Sequence, residues 1–446
     1  MKNSALVVIA LCSYVIFCSR GTSEDTNDPN VWARQEEPRL SGASRWVPCR
    51  RLPRAEGEIV GRVDCAPRPP ASNDDCLEPL EVTKRDEALR VLLTQPACTD
   101  VAISVLSRIS PDDLAAAYYI RAQRNDDPAD LLRAADAAQR ARPTATTLFN
   151  RALAYEALEL HTDAAVAWDA FLGADRGSGW AEEARERRKR LVATDSIDQW
   201  EHDAARLVSA VSSDNPALVA EIVRRSPAAA QRLIEEELLP DDLKGAKLIA
   251  AELFRLTQDP FALDLVRAFS QTRDAVSLRK GHETLRQARL LDRAFERPAA
   301  ALQYKEATEL LSRGGSPLAL LSSLRSSNDV DDVATEARKR GYMGVLARAH
   351  ATRGHMKGLA EFEYVAAIQE YDAALSAYAA VHDAEGLAAT HTRLSGIHRL
   401  MGDTAGAWAQ ALRALRLASS QTNTQERHVL LGEAAHAAME LGHPAV

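Results

Sequence analysis

The stretch TLFNRALAYEALELHTDAAVAWDAFLGADR (residues 147–176) decides the fold that we predict for this chain. Apolar and small residues recur in it at every third or fourth position, before and after a short polar interruption, as in two amphipathic helices. The residues that share a face are Leu148, Ala152, Tyr155 and Leu158 in the first helix, and Ala164, Trp168 and Phe171 in the second. Small residues let helices approach closely, and aromatic residues fill the space between neighbouring pairs. The stretch therefore predicts a helical hairpin that stacks on others.

Similar hairpins recur along the chain. LAATHTRLSGIHRLMGDTAGAWAQALRALRLASS (387–420) contains two helices around the turn Met401-Gly402-Asp403, and YDAALSAYAAV (371–381) is predicted as the second helix of the preceding pair. DLAAAYYIRAQRNDDPADLLRAADAAQRARP (113–143) is a looser pair. These units are similar to the tetratricopeptide repeat. We predict an all-α, tetratricopeptide-like α-solenoid of helical hairpins.

The repeats depart from the tetratricopeptide signature in places. Glu159 stands where the first unit would have a turn glycine, and Arg176 stands where a proline would close it. The region from about 196 to 340 is rich in helical patterns but matches the signature poorly. We therefore expect divergent helix pairs between two better-matching sets of repeats.

The last segment, ERHVLLGEAAHAAMELGHPAV (426–446), predicts one more helix, from about Glu426 to Leu441. Its predicted packing face carries Ala435, Ala438 and Leu441. The segment fits the first helix of a further unit whose second helix is missing, so we expect the sequence to be a piece of a longer protein. The alternative is a native end whose last helix packs on the preceding pair without a cap.

Composition narrows the classes of partner. The chain has 446 residues, 46% apolar and only 5% aromatic, which favours thin, closely packed helices over a large globular core. The net charge of −8 gives no chain-wide basic footprint for nucleic acid. The net negative charge favours solubility and does not indicate a particular partner.

The N-terminus is predicted to direct export. Lys2 precedes the apolar run ALVVIALCSYVIFC (5–18), which is shorter than a membrane span and typical of a signal-peptide core. We predict a signal peptide over residues 1–21, with lipidation of Cys18 as the alternative, although bulky Phe17 stands where a lipobox has a small residue. The expected location is the periplasm or cell envelope, with membrane contact only through the leader or a lipid anchor.

Four cysteines follow the leader: Cys49, Cys65, Cys76 and Cys98. Clustered cysteines in an exported segment predict up to two disulfides, with three connectivities left open. No CxxC pair occurs, which disfavours a zinc site. Most of these cysteines lie in a proline-containing, irregular segment at 22–80, which they are predicted to hold together.

The predicted organisation has five parts. They are the leader at 1–21, the irregular segment at 22–80, helical repeats at 81–195 that include the hairpin at 145–178, divergent helices at 196–340, and repeats at 341–446 that are truncated in the last unit.

An ordered set of strings resembles one protein family. The strings are DLAAAYYIRAQRNDDP (113–128), LFNRALAYEAL (148–158), GSGWAEEARERRKRL (177–191), EEELLP (235–240), RGGSPLALL (313–321) and AEGLAATHTRLSGIHRLMGDTAGAWAQALRALRLA (384–418). They look like the helical-repeat half of bacterial CHAT-domain proteins, which are caspase-like peptidase domains associated with tetratricopeptide repeats. The resemblance covers about residues 105–446.

In that family the repeats precede a peptidase domain with a His/Cys dyad. This sequence ends before such a domain and has no cysteine after Cys98, so none of the family's catalytic residues can be assigned here. The resemblance therefore implies the regulatory or substrate-docking half of a CHAT-type cysteine peptidase.

The motifs of common catalytic and cofactor sites are weak or missing. Ser277-Leu278-Arg279-Lys280 spells SxxK, in which the lysine could activate the serine, but no KTG accompanies it. No HExxH, P-loop or GxGxxG occurs. The charged run EEARERRKR (182–190) pairs Glu183 with Arg187 at i,i+4, which predicts a solvated helix face. We expect no enzyme activity, cofactor or metal.

The remaining candidate site is the groove of the solenoid. By repeat geometry, its inner face presents Phe149, Asn150, Leu153 and Glu156 in one unit, and Thr392, Arg393 and Arg399 in another. A protein or peptide could lie there, held by apolar contact and oriented by polar groups. The alternative is that these side chains contact neighbouring helices or solvent. The expected function is an exported, non-enzymatic scaffold for protein–protein interaction, with the CHAT-type docking half as the alternative.

Overall fold

The computed structural model describes residues 49–51, 63–65, 84–94, 98–125, 127–194, 197–213, 215–326, 329–418 and 424–443. The predicted leader, Cys18 and most of the irregular segment lie outside these residues. Two short strands, β1 (Cys49–Arg51) and β2 (Val63–Cys65), pair in antiparallel fashion, in a register that places Cys49 opposite Cys65. From Arg85 onward, every regular element in the described residues is helical, which confirms the all-helical prediction for that part.

The helices follow one another closely. Helices α1 to α7 are Arg85–Thr94, Thr99–Ile109, Pro111–Asn125, Pro128–Arg140, Ala145–Ala157, His161–Ala174 and Gly179–Thr194. Helices α8 to α14 are Ile197–Ser212, Pro216–Arg225, Pro227–Leu233, Leu243–Thr257, Phe261–Gln271, Ala275–Arg293 and Arg297–Arg313. Helices α15 to α21 are Leu318–Ser326, Val330–Arg340, Met343–His355, Tyr364–Ala380, Ala384–Leu400, Thr404–Ala418 and Thr424–Glu440. Two π-helical turns, Ile234–Leu238 and Met356–Ala360, continue α10 and α17.

Each helix packs mainly on its neighbours in sequence. The closest pairs are α3 with α4, α5 with α6, α13 with α14, α17 with α18, and α19 with α20. The hairpins predicted at 147–176 and 387–420 are therefore α5–α6 and α19–α20. This neighbour-on-neighbour packing is that of an α-solenoid.

The turn of the α5–α6 hairpin explains how the chain dispenses with a turn glycine. Glu159 adopts φ 59°, the left-handed conformation, and the next residue, Leu160, donates its N–H to Tyr155 O at 3.0 Å. This conformation costs a non-glycine residue about 1–2 kcal/mol. The α19–α20 turn uses Gly402 at φ 78°, where glycine has no such cost.

Several helices start with the same cap. Asp242, Asp383 and Asp403 precede α11, α19 and α20, and each carboxylate accepts the N–H of a glycine three residues later, at 2.8, 2.8 and 2.9 Å. Such N-caps contribute about 1 kcal/mol each. At Gly386, the partner of Asp383, a Cβ would overlap the Tyr378 ring, so this cap also permits close packing of α18 on α19.

The middle helices share one core. Buried apolar residues from Leu207 to Ala349 form a single cluster, which spans α8 to α17 and runs across the predicted boundary at residue 340. The packing therefore does not separate the divergent helices from the start of the repeats predicted at 341–446.

The first and last repeats share a second core. Trp408 on α20 donates its indole N–H to Pro128 O at the start of α4, at 2.7 Å. His443 Nδ1 lies 3.5 Å from Asp136 Oδ2 of α4. The buried face of α21 consists of Leu430, Ala434, Ala437 and Ala438. Ala435, which we predicted on the packing face, is exposed. The array therefore curves until α20 contacts α4, and we call this contact the seam.

Candidate functional site

Three of the predicted groove residues are not on a surface. Phe149, Asn150 and Leu153 are buried, so the prediction that they line an open groove is wrong. The Phe149 ring lies edge-on to Trp168 and Trp180, with centroids 5.0 Å away in each case. These positions on α5 face the next helical layer, because α7 covers the hairpin.

The polar members of the predicted groove have partners within the chain. Glu156 accepts the Trp168 indole N–H at 3.2 Å and a hydrogen bond from Arg187 at 2.9 Å. The Thr392 hydroxyl donates to its own helix, and Arg399 lies 3.5 Å from Glu433. Arg393 is exposed. A role of these residues in binding a partner stays a prediction.

The charge run on α7 is not a solvated face throughout. Glu183 and Arg187 are both buried and form an ion pair at 2.9 Å, so our interpretation of this pair was wrong. Arg187 also stacks over the Trp168 ring, 5.9 Å from its centroid. The run therefore joins α7 to α5 and α6 by a buried polar contact that i,i+4 spacing alone did not reveal.

The structure describes only one of the four cysteines that follow the leader in side-chain detail. Cys98 is disulfide-bonded, and the side chains of Cys49, Cys65 and Cys76 lie outside the described residues, so the connectivity stays a prediction.

Within the SxxK motif, Ser277 donates its backbone N–H to the carboxylate of Asp274, the N-cap of α13, at 3.0 Å. Lys280 forms an ion pair with Glu306 at 2.9 Å.

The strongest concentration of buried charge lies at the π-helical turn that ends α10. Glu235 is 1% exposed, and its carboxylate accepts hydrogen bonds from Arg289 at 2.8 Å and Gln231 at 2.9 Å. Burial by itself would raise the pKa of Glu235, but the charges of Arg289 and Arg348 and these hydrogen bonds outweigh it and lower that pKa. Glu235 is therefore a buried carboxylate that stays ionised because of its arginine partners.

The same turn is fixed to α13 by a histidine. His282 is buried, and its Nε2 lies 2.6 Å from Glu235 O, which requires the ring to donate from Nε2. The His282 ring also lies edge-on to the Phe269 ring, with the two ring centroids 5.5 Å apart. Burial, together with the charges of Arg289 and Arg286, lowers the pKa of His282 below its ordinary value of 6.5, against the raising effect of the hydrogen bond to Glu235 O.

This shift predicts acid sensitivity. Below the ordinary pKa of 6.5 the unfolded chain protonates His282 more readily than the folded chain, so stability is full above that pH and falls as the pH drops through it. We expect the urea midpoint of the wild type to fall more than that of His282→Gln between about pH 7.5 and pH 5.5. Parallel pH profiles for the two proteins would contradict this assignment.

A small pocket lies beside this charge cluster. Residues of α10, the α11–α12 and α16–α17 junctions, and the α18–α19 turn surround it, namely Pro227, Ala228, Gln231, Leu253, Thr257, Asp259, Ala262, Gly344, Arg348, Val381 and Asp383. Asp259 joins two helices here, because its carboxylate accepts the N–H of Phe261 at 2.9 Å and of Gly344 at 2.8 Å. Burial raises the pKa of Asp259 despite these hydrogen bonds.

Arg348 is the cation of the pocket. It lies on α17 and is partly exposed, and against the lowering effect of burial the carboxylates of Glu235 and Asp383 raise its pKa. The guanidinium makes no hydrogen bond to any residue that the structure describes. We take the pocket around Arg348, Asp259 and Asp383 as the candidate site and call it the Arg348 pocket.

Sequence reasoning missed this pocket. Its three charged residues come from distant segments, and tertiary packing alone brings them together. The acidic run at 235–237 is visible in the sequence, but it does not line the pocket. Among the described residues, no cluster of His, Cys, Asp and Glu has the arrangement of a metal site.

Comparison with known protein families and with curated proteins finds no match to this chain. Within the part of the chain that the structure describes, no helix combines the length and the apolar character needed to span a bilayer.

Proposed function

We propose that this chain is a tetratricopeptide-type scaffold that binds another polypeptide through an edge of the solenoid. The observation that carries the proposal is a pair of exposed aromatic residues at hairpin turns. Phe295, between α13 and α14, is 66% exposed, and Phe362, between α17 and α18, is 69% exposed. Both adopt left-handed backbone conformations, with φ 62° and 59°.

Neither packing nor backbone preference accounts for a phenylalanine at these positions. The other turns of the described array that adopt this conformation use glycine or a polar residue, namely Gly315, Gly341, Gly402, Gly442, Glu159, Gln258 and His382. A phenylalanine there carries the steric cost of positive φ and exposes its ring to water. Exposed apolar groups that the fold does not need are typical of contact surfaces for other proteins.

Phe295 closely precedes α14 and Phe362 follows the π-helical turn that ends α17, and these parts of the two helices approach each other, because the charge of Arg297 acts on His355. Other exposed apolar side chains lie close to them in sequence: Leu290, Leu359 and Val365. The pKa of His355 is lowered by burial and by the charges of Arg393 and Arg297, so α14, α17 and α19 lie near one another here. We call this surface the apolar edge and propose that it contacts apolar side chains of the partner.

A photo-crosslinking amino acid tests the proposal. Introduced at Phe295 or Phe362 of the full chain in its native cells, it should give one shared protein adduct. The matched control is the same amino acid at Val276, which is 81% exposed and lies at the start of α13, at the opposite end of that helix from Phe295. Phe295→Ser should weaken the adduct formed from position 362. Equal crosslinking from Val276, or none from either phenylalanine, would overturn the proposal.

Two further parts of the proposal rest on sequence alone. Export through the leader at 1–21 is tested by sequencing the N-terminus of the mature protein. The role of a CHAT-type docking half rests on the strings at 113–418, and a His/Cys-bearing domain encoded downstream of Val446 would support it.

A further inference from the structure

The register of the two short strands places two cysteines directly opposite each other. Strand β1 begins with Cys49 and β2 ends with Cys65, and the antiparallel register pairs these two residues. Opposite residues of an antiparallel pair have Cα atoms about 4.5–5.5 Å apart and Cβ atoms on the same face of the sheet. A disulfide needs Cα atoms about 4.4–6.8 Å apart, so this register satisfies the backbone geometry of a bond between Cys49 and Cys65.

The sheet is small and needs more than its backbone pairing to be stable. Each strand has 3 residues, and the two strands form a 2-stranded sheet with no further strand in the part of the chain that the structure describes. A two-stranded hairpin is at best marginally stable in water. A covalent bond across the pair would close the intervening segment, 52–62, and reduce the entropy of the unfolded chain. The pair of Cys49 and Cys65 is therefore the position at which a bond would stabilise the sheet.

Cys98 supplies an independent observation, because it is disulfide-bonded. It is the residue before α2 and is 4% exposed. It belongs to the apolar core of the first helices, together with Leu89 and Leu92 of α1 and Leu106 of α2. The bond of Cys98 therefore attaches a second cysteine to the N-terminal end of the solenoid.

The number of cysteines determines the partner of Cys98 once the strand pair is assigned. Of the four that follow the predicted leader, Cys49 and Cys65 are paired by the strand register, which leaves Cys76 for Cys98. Cys76 lies outside the described residues, so its pairing is assigned by elimination. We propose two disulfides, Cys49–Cys65 and Cys76–Cys98. In each, two thiols lose two protons and two electrons to a disulfide oxidant, which is reduced to two thiols.

Peptide mapping of the oxidised full chain tests this connectivity. The chain is equilibrated with reduced and oxidised glutathione, its free thiols are blocked with N-ethylmaleimide, and it is cut with trypsin and endoproteinase Asp-N. The two enzymes place each of the four cysteines on its own peptide: WVPCR (46–50), DCAPRPPASN (64–73), DCLEPLEVTK (75–84) and VLLTQPACT (91–99). Mass spectrometry without reduction should find the first peptide linked to the second and the third linked to the fourth. Any other linkage, or a blocked thiol at Cys49 or Cys65, would overturn the proposal.

Two variants test the bonds separately, because the bonds follow one another in the sequence and neither encloses the other. Cys65→Ser should leave Cys49 as a new free thiol and keep the link of Cys76 to Cys98. Cys98→Ser should free Cys76 and keep the link of Cys49 to Cys65. Cys12→Ser, in the predicted leader, is the matched control and should leave both links in place. A free Cys98 thiol in Cys65→Ser would overturn the assignment. That variant changes no residue of the helical core, so the test holds even where Cys98→Ser does not fold.

Discussion

Replacement of Trp168 by alanine is expected to lower the free energy of unfolding by about 3–5 kcal/mol. Trp168 is fully buried on α6, where its ring lies edge-on to Phe149 with centroids 5.0 Å apart. Its indole N–H also binds Glu156, which in turn accepts a hydrogen bond from Arg187 of α7. The substitution leaves a large cavity and removes a donor from the polar contact between three helices.

Urea denaturation followed by circular dichroism measures this effect. The matched control is Val166→Ala on the same helix, because Val166 is 65% exposed and its truncation should change stability by less than about 0.5 kcal/mol. A similar loss for the two variants would show that α6 is not held by the buried face described here.

Replacement of Arg289 by methionine is expected to cost about 3–5 kcal/mol at neutral pH. The guanidinium joins Glu235 at 2.8 Å and Glu236 at 3.0 Å, and methionine retains much of the length of the side chain without its charge. Glu235 is then buried without its nearest cation. Burial would raise its pKa, so the loss should shrink as the pH falls towards the unfolded value of 4.5 and Glu235 becomes neutral.

Two further variants separate charge from packing. Arg293→Met removes a 60% exposed arginine that pairs with Glu236 at 3.1 Å, and it should cost less than about 1 kcal/mol. Adding Glu235→Gln to Arg289→Met should restore part of the lost stability, because the buried charge is gone. If the double variant is no more stable than Arg289→Met, the loss is one of packing.

The hairpins could be predicted because their information is local. The spacing of Ala152, Ala164 and Trp168 reports which face of each helix is apolar, and α5 and α6 form where that spacing placed them. The left-handed turn at Glu159 also follows from the short interval between the two helices. Boundaries of this kind depend on residues within about one helical turn.

The working surfaces could not be predicted in the same way. Phe149, Asn150 and Leu153 were expected in a groove because a repeat has an inner face, but α7 closes over α5 and buries them. The Arg348 pocket depends on how α17 packs against α12 and α19, which no local spacing reports. Asp259 and Asp383 are recognisable from the sequence as helix caps, but not as neighbours.

The seam has a consequence for the order of folding. It joins Pro128 to Trp408, which are 280 positions apart, whereas each hairpin joins helices that follow one another directly. Loop-closure entropy delays contacts between distant residues, so the hairpins should form first and the seam last. The reverse event, release of α20 from α4, uncovers apolar faces on both helices while every hairpin stays intact.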